Sequence, residues 1–322
     1  MPSALVESGI APWADEPHES ALAASGALVE RALSRRGLTA SVLPVVASPR
    51  PRGARARVKL RVGPTGQLGF FRPGTHTFVA VPLDDLVRPE LVAYAAALEA
   101  SGKARGAFEL RSDGARVVVN AERSFAGPVD LAVLDRKVRG NPTLLVDGLR
   151  VSPGSFYQVN LELNRLVVAR IDTILQELAP ARVLDLYGGV GNLSVAAARR
   201  GVPVTLVESS QVAVADARHN LAGTGAIVVK ADAGRVRAGD HVADVVLLDP
   251  PRAGAPGLLQ ELALGRPRAI VYLSCDPVSL ARDLAGVPGY RIDLVQPWEM
   301  FPGTEHVETL VVLTRGEPRR LR

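Results

Sequence analysis

The chain has 322 residues, 47% of them hydrophobic, and a net charge of +5, a composition that favours a globular protein of about two domains. It has no apolar run of the roughly 18 residues that a membrane span requires, and its start has neither the basic nor the apolar region of a signal peptide. We therefore expect a cytoplasmic location and no membrane partner. The single cysteine, Cys275, excludes an internal disulfide, a cysteine-ligated iron–sulfur cluster and a cysteine-based zinc site. The five histidines show no metal-ligand spacing, so we expect no metal ion.

The excess positive charge lies in the first half of the chain. Residues 1–150 have 20 Lys and Arg against 15 Asp and Glu, whereas residues 151–322 have 18 of each. The charge is densest at residues 49–61, PRPRGARARVKLR. Six basic residues follow one another there without an acidic residue between them: Arg50, Arg52, Arg55, Arg57, Lys59 and Arg61. Such a patch attracts the phosphates of a nucleic acid, and it is equally compatible with a solvated strand face.

The first predicted helix covers residues 19–36, where apolar positions recur at helical spacing up to the stop signal Gly37. We treat residues 1–40 as a separate N-terminal segment. This helix is compatible with packing on either of the two domains that follow.

Residues 41–150 have the pattern of a small α+β domain. Short strands are predicted in SVLPVVA, RVKLRV, QLGFF and TFVAVP. A helix is predicted from Pro89 to residue 101, and GAFELRSDGARVVVNAE has the pattern of a hairpin that turns at SDG. The period of two in RVKLRV puts its three basic residues on one face of the strand.

From residue 151 to residue 322, continuous apolar strands alternate with helices. The helices are predicted at residues 160–178, 192–200, 211–222, 256–263 and 277–285. This alternation predicts a parallel sheet covered on both faces, that is, a doubly wound Rossmann-like α/β domain. Two closely spaced strands at the end, YRIDLVQPW and HVETLVVLTR, suit an antiparallel finish.

The sequence VLDLYGGVGN (183–192) is a strand that leads into a glycine-rich turn and a helix. By itself this pattern indicates a dinucleotide fold, a methyltransferase fold or only a tight turn. The third glycine of the dinucleotide pattern is absent, because Ser194 occupies its position. A pyrophosphate would therefore lack the close helix–strand packing that this glycine allows.

Three acidic residues at predicted strand ends help to choose the cofactor. Asp185 lies at the first turn, Glu208 ends the next strand, where it can bond ribose hydroxyls, and Asp232 ends the third, where an adenine edge can lie. S-adenosylmethionine has no phosphates to cradle, and three carboxylates can hold its ribose, its adenine and its cationic methionine end. The pattern favours S-adenosylmethionine over NAD.

The cysteine lies at the same predicted edge of the sheet. LLDPPRAG puts Asp249 at the end of the fourth strand, and AIVYLSC puts Cys275 at the end of the next. Open α/β sheets bind ligands at this carboxyl edge. A thiol there is placed for reaction, whereas a structural cysteine would more naturally lie in mid-strand. Arg252 stands where amino-group methyltransferases often have an aromatic residue, which argues against N-methylation.

In these motifs the chain resembles the RNA 5-methyluridine methyltransferases, an S-adenosylmethionine-dependent family that methylates uracil C5 in tRNA and ribosomal RNA. The matching segments are SFYQVN (155–160), DLYGGVGN (185–192), DPPRAG (249–254), SCDP (274–277) and MFPGTEHVETLVVLTR (300–315). They span the whole second half of the chain in order. A weaker similarity, GFFRPGTHTFVAVP (69–82), extends into the first half.

The resemblance implies roles for individual residues. Cys275 would be the nucleophile that adds to uracil C6, Glu308 the base that removes the C5 proton, and Asp249 the group that holds the pyrimidine edge. The cofactor-binding residues expected from the resemblance and the strand-end pattern are Gln158, Asp185, Tyr187, Gly189, Gly191, Glu208, Asp232 and Asp249. The substrate would be tRNA or ribosomal RNA, held by the basic first half, with the target nucleotide flipped out of its stack.

Departures from the family leave alternatives open. The family often has Asn at the position of Asp276 and Cys at that of Gly188, and many ribosomal RNA members carry a four-cysteine iron–sulfur motif that this chain lacks. RNA cytosine-C5 methylation, small-molecule methylation and non-catalytic RNA binding with a degenerate cofactor pocket remain alternatives. The joint presence of the acidic residues and Cys275 argues against decay. The roles of Arg252 and His306 stay open.

Overall fold

The computed structural model describes residues 1–102, 104–121, 132–134, 143–287 and 289–316. Its helices are α1 Ala4–Ser8, α2 His18–Ser34, α3 Pro89–Ser101, α4 Leu161–Leu178, α5 Val195–Arg199, α6 Gln211–Asn220, α7 Leu258–Leu264 and α8 Pro277–Leu284. The strands of the first half are β1 Arg57–Val62, β2 Leu68–Phe71, β3 Phe78–Val79, β4 Ala107–Ser112, β5 Val117–Ala121, β6 Ala132–Leu134, β7 Leu144–Val146 and β8 Leu149–Val151. Those of the second half are β9 Val183–Leu186, β10 Val204–Glu208, β11 Ile227–Lys230, β12 Val245–Leu248, β13 Ala269–Ser274, β14 Arg291–Trp298 and β15 Glu308–Thr314.

The larger sheet of the described chain has the strand order β11–β10–β9–β12–β13–β15–β14. The strands from β11 to β13 run parallel, and β15 is antiparallel to both of its neighbours. Strands β9, β12 and β13 consist of buried residues throughout, since both faces of the sheet are covered. This arrangement confirms the predicted doubly wound α/β fold and its antiparallel finish.

Helices pack on both faces of this sheet. Helices α4, α5 and α6 contribute to the core on one face, and α2, α7 and α8 contribute to the core on the other. The longest of them, α4, begins at Asn160, whose side chain accepts the backbone N–H of Leu163 at 3.2 Å. In the described part of the chain no helix has both the length and the apolar character to cross a bilayer.

The smaller sheet has the order β3–β2–β1–β4–β5–β6 within the described residues. The β4–β5 hairpin forms at the predicted position. One face carries Val58, Leu60, Phe108 and Leu110, which pack in a core shared with α3. The alternation of β1 therefore leaves its basic residues on the opposite face.

The N-terminal segment contacts both the larger unit, formed by the larger sheet and its helices, and the smaller unit, formed by the smaller sheet and α3. Leu5 of α1 lies in the core of the smaller unit, whereas Val29 and Leu33 of α2 lie in the core beside α8 and β14 of the larger sheet. The chain thus starts on one unit and passes to the other before it returns to form β1.

The segment SVLPVVA does not form the expected strand of the smaller sheet. Its Leu43 and Val46 amides donate to the carbonyl groups of Val295 and Pro297, both at 2.9 Å, so it runs along the edge strand β14. Only an isolated bridge forms, at Val46. Pro44 has no N–H group, so this segment cannot donate a complete ladder of hydrogen bonds.

Candidate active site

A cavity of about 640 Å³ lies at the carboxyl edge of the larger sheet. It is lined by Phe156, Tyr157, Gln158, Asp185, Tyr187, Gly188, Gly189, Val190, Asn192, Leu193, Glu208, Ser209, Asp232, Asp249, Pro250, Pro251, Arg252, Cys275, Phe301 and Glu308. The cavity thus brings together almost all the catalytic and cofactor-binding residues expected from the sequence. Gly191 and the basic residues of positions 50–61 are not among the lining residues.

The glycine-rich turn after β9 is shaped by left-handed backbone conformations. Tyr187, Gly189 and Gly191 have φ angles of 58°, 54° and 91°. Tyrosine seldom adopts such a φ angle, and this one lies on the cavity wall. At Gly188 a Cβ atom would collide with the side chain of Leu206 in the neighbouring strand. The close packing of Leu206 therefore requires glycine at 188. Gly191 does not line the cavity, and its contribution is the left-handed backbone conformation of the turn.

Asp185 is the last residue but one of β9 and is almost completely buried. Neither of its carboxylate oxygens has a hydrogen-bond partner among the described residues. Burial, together with a smaller effect of the charge of Glu208, raises the pKa of this carboxyl group to about 7. A buried carboxylate without a partner, on a cavity wall, fits a ligand that brings a positive charge or hydrogen-bond donors.

The next two acidic residues are held by backbone amides. Glu208 accepts the N–H groups of Gly189 at 3.1 Å and Ser210 at 2.7 Å. Asp232 accepts the N–H of Gly234 at 3.0 Å. Both lie at the ends of neighbouring strands, along the same wall as Asp185.

Cys275 and Glu308 lie at the other end of the cavity, on adjacent antiparallel strands. Ser274 pairs with Thr309. Cys275 directly follows Ser274 and Glu308 directly precedes Thr309, so both lie on the same side of this pair. Glu308 is 2% exposed, and burial together with the charge of Asp249 raises its pKa well above the ordinary value. Burial, Glu308 and Asp249 together raise the pKa of the Cys275 thiol to about 12. The thiol is therefore protonated near neutral pH and lies beside groups that can accept its proton.

Asp249 lies between the two ends of the cavity, after β12. The Nε2 atom of Gln158 donates to its Oδ2 at 3.4 Å. Burial raises the pKa of Asp249 to about 7, and the charge of Asp185 raises it as well. The carboxyl group of the half-buried Asp249 thus interacts with those of the buried Asp185 and Glu308.

Helix α8, which follows Cys275, holds the DPPRAG loop in place. The Ser279 hydroxyl donates to the Arg252 carbonyl at 2.9 Å, and Arg282 donates to the Ala253 carbonyl at 2.7 Å. The buried Asp283 accepts the N–H of Ala255 at 2.7 Å. The loop after Asp249 and the strand end that carries Cys275 are therefore fixed to the same helix, a relationship with no signal in the sequence.

Two phenylalanines of the cavity were not singled out by the sequence, although both lie in the matching segments. Phe156 is 52% exposed, and the guanidinium of Arg57 lies 4.9 Å from its ring centroid. The guanidinium of Arg55 lies 5.8 Å from the ring of Phe301. Burial lowers the pKa of both arginines. These contacts join the smaller unit to the wall of the cavity.

The other basic residues of the patch are separated from one another. Arg50 lies 3.6 Å from Glu162 and Arg52 lies 3.9 Å from Asp85, whereas Lys59 and Arg61 are exposed on β1. The stretch 49–61 is therefore not one continuous surface.

Arg252 and His306 also have defined places. Arg252 lines the cavity. The ring of His306 packs edge-on against Phe301 at 5.8 Å, and burial, followed by the charge of Arg252, lowers its pKa. Within the described residues no group of three or more His, Cys, Asp or Glu side chains is arranged to hold a metal ion.

The chain is similar to several known proteins. In an alignment 339 positions long, it is 32% identical to the 23S rRNA (uracil(1939)-C(5))-methyltransferase of Chromohalobacter salexigens. The alignment covers 90% of this chain and 71% of the relative. It is 35% identical to the 23S rRNA (uracil(747)-C(5))-methyltransferase of Shewanella amazonensis, over 52% of this chain and 45% of the relative. Alignments with further relatives cover only 39% to 44% of their length.

The fold has a solved counterpart. The tRNA (uracil-54, C5)-methyltransferase of Pyrococcus abyssi, in complex with S-adenosyl-L-homocysteine, superposes with a TM-score of 0.75 over 92% of this chain and 84% of that chain, at 25% identity. A family model described as Conserved hypothetical protein 95 matches residues 164–277. The similarity to the Chromohalobacter enzyme extends over nearly the whole chain and most of the relative. The chain therefore belongs to the RNA uracil-C5 methyltransferase family.

Proposed function

We propose that the protein uses S-adenosylmethionine to methylate C5 of a uracil in RNA, forming 5-methyluridine. The observation that carries this proposal is the pairing of Cys275 with Glu308 at one end of a cavity whose other end presents the unpartnered carboxylate of Asp185. A thiol, a nearby carboxyl base and a separate ligand-binding wall are the groups that methyl transfer to C5 requires.

The residues along the wall fit the cofactor. Asp185 offers two free carboxylate oxygens to hydrogen-bond donors or to the cationic end, Glu208 can accept ribose hydroxyls, and Asp232 lies where an adenine edge is expected. Tyr187 and Gly189 form the turn beside them. When bound, S-adenosylmethionine supplies an electrophilic methyl group on a sulfonium.

Cys275 makes C5 of the uracil nucleophilic. Its proton passes to the carboxylate of Asp249, and the sulfur forms a bond to C6 while the C5–C6 double bond opens and places electron density on C5 and O4. Burial and the charges of Glu308 and Asp249 hold the free thiol protonated, so this step needs the carboxylates as acceptors.

Glu308 completes the reaction. After C5 has taken the methyl group, which leaves the cofactor as a neutral thioether, the carboxylate of Glu308 removes the C5 proton. The C5–C6 double bond then forms again, the sulfur–C6 bond breaks and the sulfur takes back the proton held by Asp249. The raised pKa of Glu308 makes it a stronger base than an exposed glutamate, which suits the removal of a carbon-bound proton.

Asp249 and Gln158 hold the uracil edge between these groups. Their mutual hydrogen bond sets the amide and the carboxyl group side by side, so that they present both a donor and an acceptor. A uracil reaches this cavity only after it leaves its stack, so we propose that the target nucleotide is flipped. We also propose that residues 41–150 form the RNA-recognition domain, with the six basic residues from Arg50 to Arg61, and that residues 151–322 form the catalytic domain.

The test is to trap the covalent adduct. Purified protein is incubated with S-adenosylmethionine and an RNA pool that contains 5-fluorouracil in place of uracil, and the products are resolved by denaturing electrophoresis and mass spectrometry. Fluorine cannot leave as the C5 proton does, so we expect a methylated RNA adduct on Cys275, whose attached RNA identifies the substrate. The Cys275→Ala variant is the matched control and should form none. Methylation of RNA without an adduct on Cys275 would refute the covalent route, and binding of S-adenosylmethionine without methylation of any RNA would refute the proposed substrate.

A further inference from the structure

The smaller sheet has a basic row that leads away from the mouth of the cavity. In β1 the basic residues Arg57, Lys59 and Arg61 alternate with the buried Val58 and Leu60, so the three share one face. The row begins at the cavity, because Arg57 lies over the cavity-lining ring of Phe156. From Arg57 to Arg61 it extends by four residues, or about 13 Å at the rise of a β-strand.

Aromatic rings lie at the outer end of this row. Gly69 of β2 stands directly opposite Arg61, so Phe71, two residues further along, points to the same face. The Arg61 guanidinium lies 4.2 Å from the centroid of the Phe71 ring. A Cβ atom at Gly69 would come within 2.7 Å of the ring of Phe78, so this ring lies over the glycine on that same face. Both phenylalanines are half-buried.

This face keeps its positive charge. Glu109 is the residue opposite Lys59 on β4, but it is buried and paired with Arg111. Lys59 and Arg61 form no ion pair with a residue in the described part of the chain. By contrast, Arg52 lies 3.9 Å from a carboxylate.

We infer that the face formed by Arg57, Lys59, Arg61, Phe71 and Phe78 binds a single-stranded RNA segment next to the flipped uridine. Cations two residues apart on a strand are about 6.6 Å apart, which is comparable to the spacing of successive phosphates in an extended chain. Half-buried rings beside such a row can stack unpaired bases, whereas the bases of a duplex are already stacked on one another. The inference rests on the proposed function. It adds that the RNA is single-stranded beside the target, that it runs along β1, and that the contacts extend about two nucleotides from the target uridine.

The test measures binding of a fluorescein-labelled oligouridylate to the full-length protein by fluorescence anisotropy at several salt concentrations. If Lys59 and Arg61 each contact one phosphate, replacing both with alanine should raise Kd and lower the slope of log Kd against log salt by about 1.4. Phe71→Leu should raise Kd by about tenfold and leave the slope unchanged, because stacking releases no counterions. A variant with Arg35→Ala and Arg36→Ala loses the same charge from the exposed end of α2 and should bind as the wild type does.

Three outcomes would overturn the inference. They are an unchanged salt slope in the Lys59 and Arg61 variant, an equal loss of slope in the Arg35 and Arg36 control, and equal competition by double-stranded and single-stranded RNA. Thermal unfolding of each variant shows whether a change in Kd reflects misfolding. Because binding is measured without methyl transfer, loss of the proposed chemistry and loss of this binding face are separate results. If the wild type binds RNA with the expected salt dependence but forms no adduct on Cys275, the binding face is supported and the proposed reaction is refuted.

Discussion

Cys275 comes directly after Ser274 and Glu308 directly before Thr309, its partner on the adjacent antiparallel strand, which sets a thiol beside a buried carboxyl group. They are separated by more than thirty residues in the chain, and β14 lies between them in sequence but not in the sheet. Insertion of β15 between β13 and β14 therefore brings Cys275 and Glu308 together, the pair to which we assign the chemistry. The predictions below test this pair and the wall that faces it.

Replacement of Glu308 with Gln should allow the methylated adduct to form but block its breakdown. The amide cannot accept the C5 proton, so turnover should fall by roughly 10² to 10⁴. The methylated adduct between Cys275 and unmodified RNA should then accumulate, and denaturing electrophoresis with a labelled methyl group measures it. Full turnover by this variant would show that another group is the base. The variant with Cys275→Ala as well should lose the adduct.

The reactivity of Cys275 should increase steeply with pH. Its pKa is raised to about 12, so the thiolate fraction should grow about tenfold for each pH unit between pH 7 and pH 9, without a plateau. The rate of alkylation by iodoacetamide measures this directly, since the chain has a single cysteine. In Glu308→Gln one source of negative charge is lost, so the pKa of the thiol should fall and alkylation above pH 8 should be faster. A plateau near pH 8 in the wild type would contradict the assigned environment.

Asp185→Asn should make the folded protein more stable and weaken its binding of the cofactor. The pKa of Asp185 is about 7 in the folded protein and about 3.9 in an unfolded chain, so the folded state binds the extra proton between these values. Stability is therefore lost as the pH rises from about 4 to 7. The variant lacks this loss and should be the more stable protein above pH 7, by a few kcal/mol. Urea unfolding at pH 5 and pH 8 tests the sign.

The same variant should bind S-adenosylmethionine at least tenfold more weakly, because the amide cannot replace a carboxylate toward a cation. Isothermal titration calorimetry measures this. If the variant is more stable but binds S-adenosylmethionine with wild-type affinity, the Asp185 carboxylate does not contribute to cofactor binding.

Gly188 and Leu206 should behave as a coupled pair. Gly188→Ala places a Cβ against Leu206 and should destabilise the protein by about 1–3 kcal/mol. Leu206→Ala leaves a cavity and should cost about 2–5 kcal/mol. Their combination should cost less than the sum of the single changes, since the new methyl group occupies space that the leucine vacates. Thermal or urea unfolding of the four proteins gives the coupling, and strict additivity would contradict the close contact.

The order of local patterns along the chain was sufficient to predict the doubly wound sheet, because apolar periodicity, glycine turns and helix caps are properties of neighbouring residues. For the same reason the carboxyl-edge positions of Asp185, Glu208, Asp249 and Cys275 could be predicted: parallel strands end at one edge. The prediction failed at residues 41–47, whose apolar alternation indicates a strand but whose hydrogen bonds go to the edge of β14.

Only the tertiary structure decided which of these groups interact. The pKa values of Asp185 and Asp249 depend on burial and on charges from other strands, and neither is encoded within a few residues. The same holds for the division of the basic stretch, where Arg55 and Arg57 lie against rings of the cavity while Lys59 and Arg61 remain exposed. A sequence determines which residues can form a strand or carry a charge, whereas burial and long-range contacts determine what that charge does.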